Sequence, residues 1–381
     1  MKILVVSNNY PSLKHPTRGV FVYNLIQQFC KLGHKVTVIS PDNIMSVKVK
    51  KVKSYGEELC TVYRPKVFSL SSIQLGSFNT YRIAELAQIR AIQKTVKNNN
   101  IEFDFVYAHF LMNGIVAVNA LNNYAKPVFT AIGESDLTSF TKRYPKSYFN
   151  RSVKRINGFV AVSNKLKDQL IGYGVTPERI LMKPNAVDLN KFYSRDKKEM
   201  RVKYELPMDV KLIAFVGRFM HHKGPLRVLD AVNELDNVGI LFIGSGPQNP
   251  EGKSVVFKGS LPSYKIPEIL SAADLFVLPT QKEGSCNAIA EAVACGLPVV
   301  SSDIPEVRDQ CDSSYSILVD PLDVDAIRIA IDSIVNNQKV AKEMSDNALR
   351  ASKNFEIGER AAAILSFIKG MMKSQNECLK G

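Results

Sequence analysis

Asp274 to Ser302 read DLFVLPTQKEGSCNAIAEAVACGLPVVSS, and this stretch decides the fold class. It opens with a continuous apolar run, Leu275 to Leu278, which Pro279 ends. A short apolar run bounded by turn residues suits a strand buried on both faces of a parallel sheet. A polar loop follows from Thr280 to Gly284, and Ser285 and Asn287 then offer N-cap chemistry for a helix reaching about Ala294. Gly296 stops that helix, and Pro298 opens a second strand at Val299 and Val300. The unit is therefore strand, loop, helix, strand, with its loop at a strand's carboxyl end, where open α/β sheets hold their ligands.

Two carboxylates lie eight residues apart in this unit, Glu283 in the loop and Glu291 two turns into the helix. Between them the N–H groups near Asn287, Ala288 and Ile289 form a helix N-terminus, which favours anions. A nucleotide sugar fits this pattern chemically. Its phosphates would meet the helix end, a ribose diol would donate to Glu291, and sugar hydroxyls would donate to Glu283. Spacing alone carries little weight, because helices and loops are full of solvated glutamates.

The motif in full is more specific. Glu283 and Glu291 are followed by Cys295-Gly296-Leu297-Pro298-Val299-Val300 and then by Ile304-Pro305-Glu306. This order resembles the retaining glycosyltransferases of the GT-B fold, family 4 type (glycosyl transferases group 1), whose hallmark is Glu, seven residues, Glu. The resemblance implies an α/β chain with two Rossmann-like domains facing a central cleft. The expected division is 1–188 for an acceptor-side domain and 189–355 for the donor domain, with a C-terminal helix in 356–381 packing back on the first.

Further matches support the resemblance. Gly217-Arg218-Phe219-Met220-His221-His222-Lys223-Gly224 follows an apolar strand, and its Arg218 and Lys223 can converge on one diphosphate, a planar fork beside a mobile point charge. Relatives use both cations on the donor diphosphate. Gly259 and Leu261, in Lys258-Gly259-Ser260-Leu261, occupy the place where the family's backbone meets the nucleotide base. Pro184-Asn185-Ala186-Val187-Asp188 resembles the segment joining the two domains. In the first half, Gly19 opens a helix where relatives approach the donor phosphates, although Arg18 precedes it in place of a second glycine. His109 ends the strand Phe105 to Ala108, a place that suits either a site histidine or a structural one. Thr130 and Gly133 match a Thr-x-His-Gly segment, but Ile132 stands at the histidine position. That departure removes an expected polar contact and draws attention to Glu134, Ser135 and Asp136.

Other features bound the answer. A chain of 381 residues calls for two domains. Six scattered cysteines without CxxC spacing read as reduced thiols of a cytoplasmic protein. The start, MKILVVSNNY, reads as a first strand and not a signal peptide, and no apolar run is long enough to span a bilayer. Gly244-Ser245-Gly246-Pro247 lacks the third glycine of a dinucleotide fingerprint, and Asp323-Val324-Asp325 reads as a helix cap. The net charge of +14 asks for an anionic partner. Lys142, Arg143, Lys146, Arg151, Lys154 and Arg155, interleaved with Tyr144, Tyr148 and Phe149, suit an anionic membrane surface. A second cluster, Lys48, Lys50, Lys51 and Lys53, reads as a strand with one lysine face. Charge is the sole argument for nucleic acid, which is not expected as a partner.

The resemblance implies a retaining hexosyltransferase that moves a sugar from a UDP- or GDP-sugar, with no cofactor and no metal, to a glycan or lipid-linked glycan acceptor in cell-surface polysaccharide biosynthesis. It would act in the cytoplasm, peripherally at the inner face of the membrane. Catalytic roles fall to Glu283, Arg218, Lys223 and His109, and donor binding to Gly19, Gly259, Leu261, Asn287, Ala288, Ile289 and Glu291. Two alternatives stay open: a sugar-nucleotide epimerase or hydrolase on the same fold, and a non-catalytic partner subunit.

Overall fold

The computed structural model describes every residue except 13–14, 16–17, 44–58, 69–73, 76–77, 139, 141–143 and 379–381. The chain divides into two compact units, Met1–Lys183 with Gly358–Gly381, and Pro184–Ile357. The lysine run at 48–53 lies outside the described residues.

The first unit is built on seven parallel strands: Lys2–Val6, Lys35–Ile39, Thr61–Tyr63, Phe105–His109, Val128–Ile132, Gly158–Ala161 and Ile180–Met182. Numbered along the chain, their order across the sheet is 3-2-1-4-5-6-7, the doubly wound order with one extra edge strand. Side chains alternate between two cores. Leu4 and Val6 face one that includes the helix Leu111–Ala120, while Ile3 and Val5 face the helix Val20–Lys31. That second core also takes Ala361, Ile364, Leu365 and Ile368 from the C-terminal helix Ile357–Cys378. The helix Val20–Lys31 buries Val22, Leu25, Ile26 and Phe29, an i, i+3, i+4, i+7 stripe that one face of a helix presents.

The second unit repeats the plan with six parallel strands, Lys211–Val216, Val238–Ile243, Val255–Gly259, Leu275–Leu278, Val299–Ser302 and Ser316–Val319, in the order 3-2-1-4-5-6. Leu275 to Leu278 are all buried, as a strand covered on both faces must be. The charged stretch from Arg195 to Lys203 contains the helix Lys197–Lys203, capped by Asp196. Asp323 caps the helix Val324–Val335 by accepting from the Ala326 N–H at 2.9 Å. The chain passes out of and back into this unit at neighbouring points, for Val187 N–H donates to Phe355 O at 2.8 Å and Ile357 N–H to Val187 O at 3.0 Å.

One glycine sets how closely the loops beyond these strands can approach. Gly244 has φ +150°, and a Cβ there would lie 1.8 Å from the Gly217 carbonyl oxygen. Neither backbone can give way, since Gly217 N–H is bonded to Ile243 O at 3.0 Å and Gly244 N–H to Gly259 O at 2.9 Å. Gly244→Ala is therefore expected to destabilise the protein by about 2–4 kcal/mol through backbone strain and overpacking. Urea unfolding of the variant measures this directly, and an unchanged midpoint would contradict it.

Candidate active site

In a doubly wound sheet the ligand crevice opens where the strand order reverses, outside the carboxyl ends of the strands. In the second unit that point lies between Lys211–Val216 and Leu275–Leu278. The loop after the first strand carries Arg218 and Lys223, and the loop after the second carries Glu283. Lys223 closes a short 3-10 turn, His221–Lys223, which Gly224 ends in the left-handed region at φ +75°. The two loops are stitched together. Gln281 N–H donates to His222 O at 2.7 Å, and the Arg227 guanidinium donates to His221 O at 3.0 Å and Pro279 O at 2.8 Å.

This stitching brings Lys223 and Glu283, sixty residues apart, into a hydrogen-bonded ion pair. Their side chains are only 19% and 10% exposed, so the pair is largely withdrawn from water. Arg218, on the same loop as Lys223, is exposed, and among the described residues its guanidinium makes a long hydrogen bond to Met220 Sδ at 4.0 Å. Of the expected cations, Lys223 thus meets the loop carboxylate at the switch point, and Arg218 lies exposed on the same loop.

The helix Asn287–Ala294 starts beyond Glu283. Neither Ser285 nor Asn287 caps it, contrary to expectation; Cys286 is the N-cap residue and makes no side-chain cap bond. Ser285 is engaged elsewhere, its Oγ accepting from the Asn185 N–H at 2.9 Å. The Cys286 N–H donates to Gln310 Oε1 at 2.6 Å, which fixes the helix start. Burial pushes the Cys286 thiol up, chiefly by desolvation and next by the Glu283 charge, so the sulfur stays protonated. Asn287 and Ala288 are half-buried and Ile289 is buried, and Asn287 Oδ1 is an enclosed acceptor without a donor. Glu291 is half-buried with no ion pair or hydrogen bond to its carboxyl among the described residues, and burial raises its pKa to about 8. Gly259 ends its strand beside Gly244, and Leu261 is half-buried against the core of this unit. Arg227 and Gln310 escaped the sequence reading because their partners lie 52 and 24 residues away and no local motif marks them.

The first unit has a switch point of its own between Lys2–Val6 and Phe105–His109. Gly19 belongs to it: at φ +68° its Cβ would lie 2.3 Å from the Asn9 carbonyl oxygen, so the position demands glycine on backbone grounds. His109 is buried, its ring 5.3 Å from that of Phe21 and 5.1 Å from that of Phe110. Burial first, and the Arg360 charge second, depress its pKa to about 3, so the imidazole is neutral. Its Nδ1 has no hydrogen-bond partner. Phe110 adopts φ +76°, ψ 146°, a strained conformation for a residue with a side chain, at the start of the helix Leu111–Ala120. Glu134 accepts there from Leu111 N–H at 2.7 Å and Gly133 N–H at 2.9 Å. Burial outweighs these bonds and lifts its pKa to about 7. Ile132, at the position where the resemblance implies a histidine, is wholly buried.

Two family descriptions match the chain: Glycosyltransferase Family 4 over residues 19–191 and Glycosyl transferases group 1 over residues 196–351. The chain belongs to the GT-B-fold glycosyltransferases. TuaC of Bacillus subtilis (strain 168), a glycosyltransferase named for teichuronic acid biosynthesis, is 28% identical across 96% of this chain and 97% of its own length. D-inositol 3-phosphate glycosyltransferase of Mycobacterium marinum is 27% identical over 63% of this chain and 57% of its own. Among solved structures, sucrose-phosphate synthase from Thermosynechococcus elongatus superposes with a TM-score of 0.80 at 16% identity, covering 98% of this chain and 100% of that one. Anabaena HepE in complex with UDP-glucose superposes with a TM-score of 0.72 at 17% identity, covering 96% and 99%.

Elsewhere the glycosyltransferase departs from the sequence reading. Lys142 and Arg143 lie outside the described residues. The rings expected at a membrane surface turn inward: Tyr144 and Phe149 are buried, and Tyr148 is half-buried, hydrogen-bonded to Asn119 at 2.9 Å and to Glu85. Of the described basic residues there, Arg155 is committed to Val118 O and Asn122 Oδ1 at 2.7 Å and Asn119 Oδ1 at 2.8 Å, while Lys146, Arg151 and Lys154 face solvent. No helix among the described residues is long and apolar enough to cross a membrane, and none of their His, Cys, Asp or Glu side chains gather in threes as a metal site would require. A cavity of about 340 Å³ opens beside Lys211, Asp274 and Pro298, at the amino ends of the second sheet's strands, away from the switch point.

The Glu291 carboxyl makes stability depend on pH. Its folded pKa of about 8 lies above the ordinary 4.5, so between those values the folded state holds a proton that the unfolded chain releases. Stability from this group is complete below pH 4.5 and is lost as pH rises through about 8. Glu134, lifted to about 7, acts in the same direction. The unliganded protein should melt lower at pH 8 than at about pH 5.5, and Glu291→Gln should shrink the difference. A Glu291→Gln variant with the wild-type slope of Tm against pH would refute the assignment.

Proposed function

We propose that this glycosyltransferase moves a hexosyl group from a UDP- or GDP-sugar to a glycan or lipid-linked glycan during cell-surface polysaccharide assembly, with retention of anomeric configuration and without a metal ion. The name of TuaC supports the polysaccharide context, and the UDP-glucose bound to HepE supports a nucleotide-sugar donor. The observation that carries the reading is the gathering of Arg218, Lys223 and Glu283 at the second sheet's switch point, with unpaired Glu291 on the following helix.

Each group has work to do in such a reaction. As the bond from the sugar to the diphosphate breaks, charge grows on the leaving phosphate. Arg218, Lys223 and the N-terminus of Asn287–Ala294 are preorganised donors for that charge, the role a metal ion plays in other transferases. Glu283 accepts sugar hydroxyls and orients the donor. No nucleophilic role is assigned to it. Glu291, with its acceptor capacity unused, takes a ribose diol. The diol favours the ionised carboxylate, so donor binding at pH 7 should release up to about one proton from Glu291. Lys146, Arg151 and Lys154, exposed on one helix, provide for contact with anionic lipid headgroups at the cytoplasmic face.

Calorimetry and thermal-shift titration with UDP-, GDP-, ADP- and dTDP-sugars in EDTA test the reading, since a ligand held only by the folded state raises Tm. One class should stabilise the protein selectively. Glu291→Ala and Arg218→Ala should weaken that binding about tenfold or more, whereas Glu283→Ala should lower turnover about a hundredfold with a smaller change in affinity. Silence toward every donor, or wild-type transfer by all three variants, would sink the proposal.

A further inference from the structure

The ion pair between Lys223 and Glu283 sets a condition on what can bind. In the unliganded protein the ammonium and the carboxylate neutralise each other in a place mostly closed to water. No other ion pair engages either side chain among the described residues. Breaking such a pair is costly unless both halves find new partners, because an uncompensated charge is then left desolvated. A nucleoside diphosphate brings phosphate oxygens to Lys223 but nothing to Glu283, and its negative charge repels that carboxylate. An intact nucleotide sugar brings phosphate to the lysine and hydroxyl donors to the glutamate. Only the intact donor satisfies both.

Building on the donor reading above, we propose that the Lys223–Glu283 pair exchanges partners in each catalytic cycle. It opens for an intact nucleotide sugar and closes again once the sugar has left, which weakens the hold on the nucleoside diphosphate and speeds its release. Glu283 is thereby a specificity-determining residue as well as a sugar-binding one: it raises the preference for loaded donor over spent nucleotide. The glycine-bounded turn His221–Lys223 holds the lysine, and Arg227 anchors that turn to Pro279, so the partners are kept within reach of each other.

The test is a double-mutant cycle read by calorimetry with UDP and UDP-glucose on the wild type, Glu283→Gln, Lys223→Gln and the double variant. Removing the carboxylate charge frees the lysine, so Glu283→Gln should bind UDP about three- to tenfold more tightly than the wild type, while UDP-glucose gains less or loses affinity. In the Lys223→Gln background any gain for UDP reports only the removal of the carboxylate's repulsion, with no lysine left to free, and raised salt should erode the gain in the single variant. UDP binding that Glu283→Gln leaves unchanged or weakens overturns the exchange while leaving the donor reading intact. If UDP and UDP-glucose, and the corresponding GDP, ADP and dTDP pairs, all fail to bind any of the four proteins, the donor reading falls and the exchange with it.

Discussion

Everything at the candidate site depends on where the second sheet reverses its strand order. Right-handed crossovers place helices on one face for strands added to one side of the first strand, and on the opposite face for strands added to the other. The helices that follow Val216 and Leu278 therefore go to opposite faces, and the two loops leading to them border a crevice. That divergence is what lets residues sixty positions apart face each other. Without the Gln281 N–H on His222 O, and without Arg227 tying one loop to the other, Lys223 and Glu283 would hang on independent loops. The ion pair is thus a consequence of topology, sharpened by two local devices.

The carboxyls of the molecule divide into those the fold has satisfied and those it has left wanting. Asp274 accepts from Arg201 at 2.6 Å, Lys197 at 2.7 Å and the Leu212 N–H at 2.8 Å; these partners outweigh its burial and hold its pKa down. It braces strand Leu275–Leu278 from below. Glu291 is desolvated with nothing in return, and Glu134 has backbone N–H groups but no cation. Burying a carboxyl without a counter-ion lowers stability, so such groups persist mainly where a ligand completes them. Both stand near the carboxyl end of a parallel sheet, where a substrate would be held.

How much of this was legible in the sequence follows from the range of each interaction. The strands were readable because a parallel strand covered on both faces is an unbroken apolar run, as in Leu275 to Leu278. The loop chemistry was readable because Arg218, Lys223 and Gly224 sit within one short segment. What failed were inferences whose answer lay far away in the chain. Ser285 had the chemistry of an N-cap, but Asn185, a hundred residues earlier, claims its hydroxyl. Tyr144 and Tyr148 had the composition of a membrane-facing segment, but Tyr81, Arg82 and Glu85 on the helix Thr80–Asn98 draw them inward, with the Arg82 guanidinium 3.9 Å from the Tyr148 ring centre. A local pattern fixes what a residue can do, and the fold decides which of those options is used.

The same distinction changes the meaning of the net charge of +14. Arg201 spends its guanidinium on Asp274 and on the carbonyls of Ala272, Pro207, Met208 and Val210. Arg179 donates to the carbonyls of Lys154, Ile156 and Asn157, Arg155 to Val118, and Arg227 to His221 and Pro279. These side chains are staples whose planar forks close helix ends and loops, and their charge is answered inside the protein. A cation count therefore overstates the pull on an anionic partner. Arg218 differs from them in kind: it stands exposed on the loop at the switch point, and among the described residues its guanidinium donates to a thioether sulfur 4.0 Å away. An incoming diphosphate would meet that guanidinium first, and only then compete with Glu283 for the lysine behind it.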